Sequence, residues 1–287
     1  MPQDVGVVII HGMGSQKKEF AVPMVERLEA EIRKRGANPE RIAFHALWWA
    51  PILDDKEREL MNGMLSHTRL DWLRLRTFVV NNLADAVAYH KSYAMPDSQN
   101  ERPVYTQITQ TVAMEMNELA KKVHPTSPLV VIAHSLGCHI MSNYIWDTQQ
   151  PASEPKHVIK QASPFENCET LTAMKTFGCN VPLFLLSNEN IEPIRFPGDG
   201  IAAAFPQATP AQIESVAKWT NFFDRDDVFG WPLAPLSTAY GKIVNDVQVN
   251  VGGWFTSATP LSHDQYWTDN DVIRPIAASL ADILALL

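Results

Sequence analysis

Residues 128–139, Pro-Leu-Val-Val-Ile-Ala-His-Ser-Leu-Gly-Cys-His, constrain the fold more than any other segment. Leu129–Ala133 is an unbroken apolar run, the mark of a strand buried on both faces. It passes directly into His134-Ser135-Leu136-Gly137 and an apolar-periodic stretch that predicts a helix to about Gln149. Ala133 and Gly137, two positions either side of Ser135, are both small. At a strained strand-to-helix corner, larger side chains there collide with the neighbouring strand or helix. Such a corner holds the Ser135 hydroxyl at the carboxyl edge of the sheet, where α/β folds place ligands. It also sets the hydroxyl before a helix N-terminus, whose N–H groups favour developing negative charge.

The rest of the chain supports an α/β reading. Val5–Ile10 predicts a buried first strand, closed by a Gly-rich turn and followed by a helix over about Glu19–Arg35 that ends at Gly36. Further strands are expected at Ile42–Trp49, Thr172–Phe177, Trp219–Phe223 and Ile243–Val251, with a last helix over Asp271–Leu287; Val181–Ser187 reads as strand or loop. Strands alternating with helices imply a mostly parallel central sheet covered on both faces. Helical spacing at Lys56–Leu65, Thr68–Tyr89 and Tyr105–His124 fills a connection longer than a crossover needs. The chain is read as one domain over 1–287 with a helical insertion at 52–100, taken either as extra core helices or as a cap over the site.

Charge and cysteine content exclude several functions. With 24 Lys and Arg against 32 Asp and Glu, the net charge of −8 disfavours a nucleic-acid partner. Cys138, Cys168 and Cys179 are too few and too scattered for a disulfide framework or a Cys-x-x-Cys metal site, and fit a reducing, cytoplasmic setting. The opening residues lack a basic n-region, and no run reaches the roughly 18 apolar residues of a membrane span, so neither a signal peptide nor a transmembrane segment is expected.

A serine hydroxyl at neutral pH needs a base held by an acid. In folds built around a Gly-x-Ser-x-Gly turn the chain order is serine, acid, histidine. Of nine histidines, only His263 follows both Ser135 and an acidic loop, in a segment read as a mobile loop before the last helix. His134 belongs to the turn and is expected to project away from the hydroxyl. His139, one helical turn on, is expected to pack beside it, and His11 to brace the backbone. The acid is sought among Asp224, Asp226 and Asp227, with Asp226 favoured by its Asp-x-Val pattern and Glu189 or Glu192 as outside candidates. Asp227 is expected to cap the next turn, and Asp224 to pair with Arg225 or its surroundings.

An acyl-transfer site also needs two donors for an oxyanion. The N–H of Leu136, next after the serine, is one. The loop Ile10-His-Gly-Met-Gly-Ser-Gln supplies the other, assigned to Met13 N–H with Gly14 as alternative. This loop lacks the third glycine of a dinucleotide fingerprint and the Gly-Lys-Ser/Thr of a P-loop, which argues against nucleotide binding.

Together these segments resemble the α/β-hydrolase superfamily. Val-Val-Ile-Ile-His-Gly-Met-Gly resembles its oxyanion loop, Val-Val-Ile-Ala-His-Ser-Leu-Gly its nucleophile elbow, Asp226–Val228 its acid loop and Ser-His-Asp-Gln-Tyr-Trp its histidine loop. The anchors run from residue 4 to 267. The resemblance implies a serine enzyme acting on carboxylic esters through Ser135, Asp226 and His263, with neither metal nor organic cofactor. Two departures stand out: the antiparallel strands that usually precede the first motif are missing, and Ala133 replaces a glycine. A hydrolase of long-chain acyl lipids and a catalytically silent binding protein on the same fold are the alternatives. Acyl length, alcohol group and oligomeric state are not readable from these motifs.

Overall fold

The computed structural model describes residues 2–13, 16–53, 59, 62–63, 104–150, 161–185, 191–252 and 260–287, with side chains omitted at 260–262. Six parallel strands form one sheet: β1 (Val5–Ile10), β2 (Ile42–Leu47), β3 (Leu129–His134), β4 (Leu171–Phe177), β5 (Lys218–Asp224) and β6 (Val244–Val249). Their order is β2-β1-β3-β4-β5-β6. All six sequence-expected strands are present, and the fold is α/β.

Helices cover both faces, which is why β1 and β3 are buried at every residue. On one face Val5, Val7 and Ile9 meet Met24, Leu28 and Ile32 of α1 (Val22–Lys34), with the apolar stripe of a long C-terminal helix, Asn270–Ala285, packed beside them. On the other, Val8 and Ile10 meet Ile108, Val112 and Met116 of α2 (Val104–Ala120) and Ile140 and Met141 of α3 (Leu136–Gln149). Side chains alternate between faces along each strand, so one strand feeds both cores.

Element ends follow local chemistry. α1 begins three residues later than expected because Pro23 occupies its first turn, where a missing N–H costs nothing. It gives way to Gly36 at φ +78°. β2 stops at Leu47, and Trp49 beyond it turns to the β1 loop. The undecided segment is a short helical turn, α4 (Val181–Phe184), while Ser187 lies outside the described residues. α5 (Ile201–Ala204), α6 (Pro210–Val216) and α7 (Thr238–Ile243) occupy the later crossovers, and the C-terminal helix is α8. Of the expected insertion, only 52–53, 59 and 62–63 are described, all helical; the spacing at Thr68–Tyr89 falls outside. Among the described residues no helix is long and apolar enough to cross a membrane.

After β1 the chain crosses to one side, and after β2 it returns to the other, so the strand order reverses between β1 and β3. The crevice beyond the carboxyl ends of two such strands is where open α/β sheets hold ligands. Here those ends carry His11–Met13 and Ser135.

Candidate active site

Ser135 has φ 53° and ψ −125°, a left-sided backbone conformation that a side chain adopts only when its surroundings enforce it. Its N–H donates to Phe177 O at 3.1 Å, which ties the corner to β4. Space around the corner is minimal. A Cβ on Gly137 would lie 2.6 Å from His11 O, and one on Gly12 would lie 2.5 Å from Ser135 Cβ and 3.1 Å from its Oγ. The loop after β1 therefore closes directly on the hydroxyl, as its glycines predict. Leu136 opens α3, where N–H groups have no intrahelical partner. Met13 is buried in the facing loop, and Gly14 lies outside the described residues.

The carboxylate at His263 is that of Asp227, not Asp226. His263 Nδ1–H donates to Asp227 Oδ2 at 2.9 Å and Oδ1 at 3.0 Å, with both residues buried. Asp226 is exposed, and its backbone N–H donates to Asp224 Oδ1 at 2.9 Å. Asp224 pairs with its surroundings rather than with Arg225: its Oδ2 accepts from Val251 N–H at 2.6 Å. These two bonds fold the chain back after β5, and the turn carries the carboxylate of the next aspartate inward. Gly230 makes the room, since a Cβ there would sit 2.4 Å from Asp227 Oδ2. Of the outside candidates, Glu189 is not among the described residues, and Glu192 lines a separate hollow.

The histidine segment is wound rather than loose. Pro260–Thr268 is a 3₁₀ helix, in place of the expected mobile loop. His134 fastens it, because its Nε2–H donates to His263 O at 2.8 Å while its ring stacks on Phe177. His134 thus does more than fill the turn, a role the sequence reading missed. Its ring pKa is held well below the usual value by burial and then by His263, which keeps it neutral. His11 braces the first loop as expected: Nδ1–H donates to Gly12 O at 2.7 Å, and Nε2 accepts from Trp49 N–H at 3.2 Å. Burial lowers its pKa to about 4, against a partial opposing effect of the Gly12 carbonyl. His139, on α3, stacks on Phe184 of α4.

Burial pushes the Asp227 carboxyl up, but His263, Phe229 N–H and the Tyr266 hydroxyl outweigh it and hold the acid below the usual carboxylate range. With Nδ1–H committed to the carboxylate, His263 Nε2 carries the lone pair. Ser135 Oγ and His263 Nε2 are both buried without a hydrogen-bond partner among the described residues. Ser142 Oγ, Thr170 Oγ1 and Asn180 Oδ1 share this state; what distinguishes the pair is that one atom is a hydroxyl on an enforced backbone corner and the other the free nitrogen of an imidazole held by a carboxylate. His263 and His134 both border Gly178. Gly178, at φ +54°, leaves 3.0 Å between a would-be Cβ and His263 Cε1, and 3.2 Å to the His134 ring. Among the described residues no group of His, Cys, Asp and Glu gathers as a metal site.

A scan against protein-family models finds no match, and a search of curated proteins finds no significant relative.

Proposed function

We propose that the chain is a serine hydrolase of the α/β-hydrolase type that cleaves carboxylic esters. The observation that carries this reading is the pair of buried, unpartnered polar atoms, Ser135 Oγ and His263 Nε2, at one rim, with His263 Nδ1–H fixed on Asp227. In this scheme His263 Nε2 takes the Ser135 proton as Oγ attacks the ester carbonyl, and Asp227 stabilises the imidazolium. The N–H groups of Leu136 and Met13 receive the oxyanion. His263 returns the proton to the leaving alkoxide, leaving an acyl-Ser135 ester that water then cleaves by the same route. Neither atom has a hydrogen-bond partner among the described residues, and the reading requires them to meet when substrate is bound. Catalytic hydrogen bonds tighten when substrate binds.

A second reading, a hydrolase of long-chain acyl lipids, is favoured by exposed apolar side chains around the rim. Val228 and Trp231 follow Asp227, and Leu183 lies on α4 just past β4. Trp231 N–H donates to Cys179 O, so these loops adjoin. An insertion over 52–100 acting as a lid belongs to this reading.

The test is a fluorophosphonate probe with p-nitrophenyl esters of graded length, a phospholipid and a thioester. The expected result is labelling at Ser135 and ester hydrolysis that Ser135→Ala reduces on the order of 10⁶-fold in kcat. Rates that fall beyond about eight acyl carbons select the small-ester enzyme, and rates that rise select the lipid hydrolase. No label on Ser135 would defeat both and favour a silent binding protein.

A further inference from the structure

We infer that Tyr266 is a positioning residue of this site, whose phenol O–H holds the Asp227 carboxylate in line with His263 and shares its negative charge. The inference rests on the hydrolase reading only for its kinetic consequence; the hydrogen-bonded arrangement stands without it.

The sequence places Tyr266 three residues after His263, within the 3₁₀ helix Pro260–Thr268. Three residues complete one turn of such a helix, so side chains at i and i+3 eclipse and point the same way. In an α-helix the same spacing would splay them by about 60°. The winding is therefore what brings both rings to one carboxylate. Tyr266 Oη–H donates to Asp227 Oδ2 at 2.9 Å, the same oxygen that receives His263 Nδ1–H at 2.9 Å. Tyr266 Oη in turn accepts from Asp224 N–H at 2.9 Å. That bond fixes the phenol's direction from the last residue of β5.

The groups facing Tyr266 are Asp224 and Asp227 from the β5 loop, His263 from its own helix, and His134 and Phe177 from the ends of β3 and β4. Burial and then the Asp227 charge push the phenol pKa well above its usual value, so it remains a donor throughout the working range. Asp227 consequently has three donors, His263 Nδ1–H, Tyr266 O–H and Phe229 N–H. Each spreads the carboxylate charge. Removing the phenol concentrates that charge on the bonds that remain, which raises the Asp227 pKa and makes protonation of the Asp227–His263 pair easier.

Tyr266→Phe in the full chain tests this by two readouts. Carboxyl-carbon NMR should show the Asp227 titration moving up by about one pH unit. The acid limb of kcat/KM should move up with it, while kcat falls about tenfold at little change in KM. A merely structural tyrosine would lower the folded fraction without moving either titration. Because the phenylalanine variant leaves Asp224 N–H unpaired and can fail to fold, site-specific 3-fluorotyrosine at position 266 provides the conservative counterpart. Its more acidic hydroxyl keeps the shape and should move the Asp227 titration downward. An Asp227 titration unmoved in the folded variants overturns the inference. A moved titration in a protein whose Ser135 takes no probe supports Tyr266 and defeats the hydrolase reading instead.

Discussion

The two ends of the sheet differ in kind. Beside the amino-terminal ends of β4–β6 lies an open cavity of about 860 Å³, lined by residues such as Glu192, Arg195, Phe196, Leu236 and Lys242. Its position follows from Gly198 N–H bonding Leu171 O and Phe196 meeting the Trp219 ring. Its charged groups do what surface groups do: Arg195 pairs with Asp199 at 3.0 Å, both well exposed. The carboxyl end holds a strained serine, a buried Asp–His pair and polar atoms lacking partners. Strained backbone and orphaned polarity, each costing stability of order 1–3 kcal/mol, occur at both ends, since Cys168 at φ 58° and Thr170 Oγ1 lie just before β4. What sets the carboxyl end apart is that they stand beside a buried Asp–His pair.

Substitutions at the two ends should diverge accordingly. Asp227→Asn keeps the shape but removes the charge, and kcat for ester hydrolysis should fall about 10⁴-fold in steady-state assays. A loss within a few-fold would detach the pair from the chemistry.

Next in size is an acid sensitivity that belongs to the carboxyl end. His11 ionises near 4 when folded and near 6.5 when unfolded. Below pH 6.5 the unfolded chain therefore binds the extra proton first. The stability contributed by neutral His11 is full above pH 6.5 and is lost as pH falls toward 4, by about 3 kcal/mol. His134 acts in the same direction. Urea unfolding at pH 7 and pH 4 measures the loss, and His11→Gln should flatten the slope.

Gly178→Ala places a methyl 3.0 Å from His263 Cε1 on a residue at φ +54°. The imidazole must shift, and kcat should drop about 10²-fold. Unchanged probe-labelling kinetics would show that the ring has slack. The smallest effects are expected from Asp226→Asn and from Lys242→Ala in the open cavity. Each should leave activity within about twofold and stability within about 0.5 kcal/mol, read by the same assays.

The sheet was legible because parallel strands buried on both faces leave unbroken apolar runs, as at Val5–Ile10 and Leu129–Ala133. Ser135 was legible because small neighbours are a steric requirement that the chain records directly. The acid was not. Asp224, Asp226 and Asp227 share one local pattern, and only the bonds of Asp224 to Asp226 N–H and to Val251 N–H, 27 residues away, decide which carboxylate turns inward. His134 and Tyr266 escaped notice for a related reason. Their partners, His263 O and Asp227 Oδ2, lie 129 and 39 residues away, and no short motif encodes such pairings. The His-x-x-Tyr spacing was a usable signal, but only for a reader who expected a turn of three residues.

The scatter of these groups along the chain has a developmental side. Ser135 is synthesised early, yet His263, the base in the proposed mechanism, arrives 128 residues later, on a segment that α8 joins to the face of α1. If that mechanism holds, a growing polypeptide has the hydroxyl but nothing to activate it, and reactivity should switch on only when the far end of the chain docks.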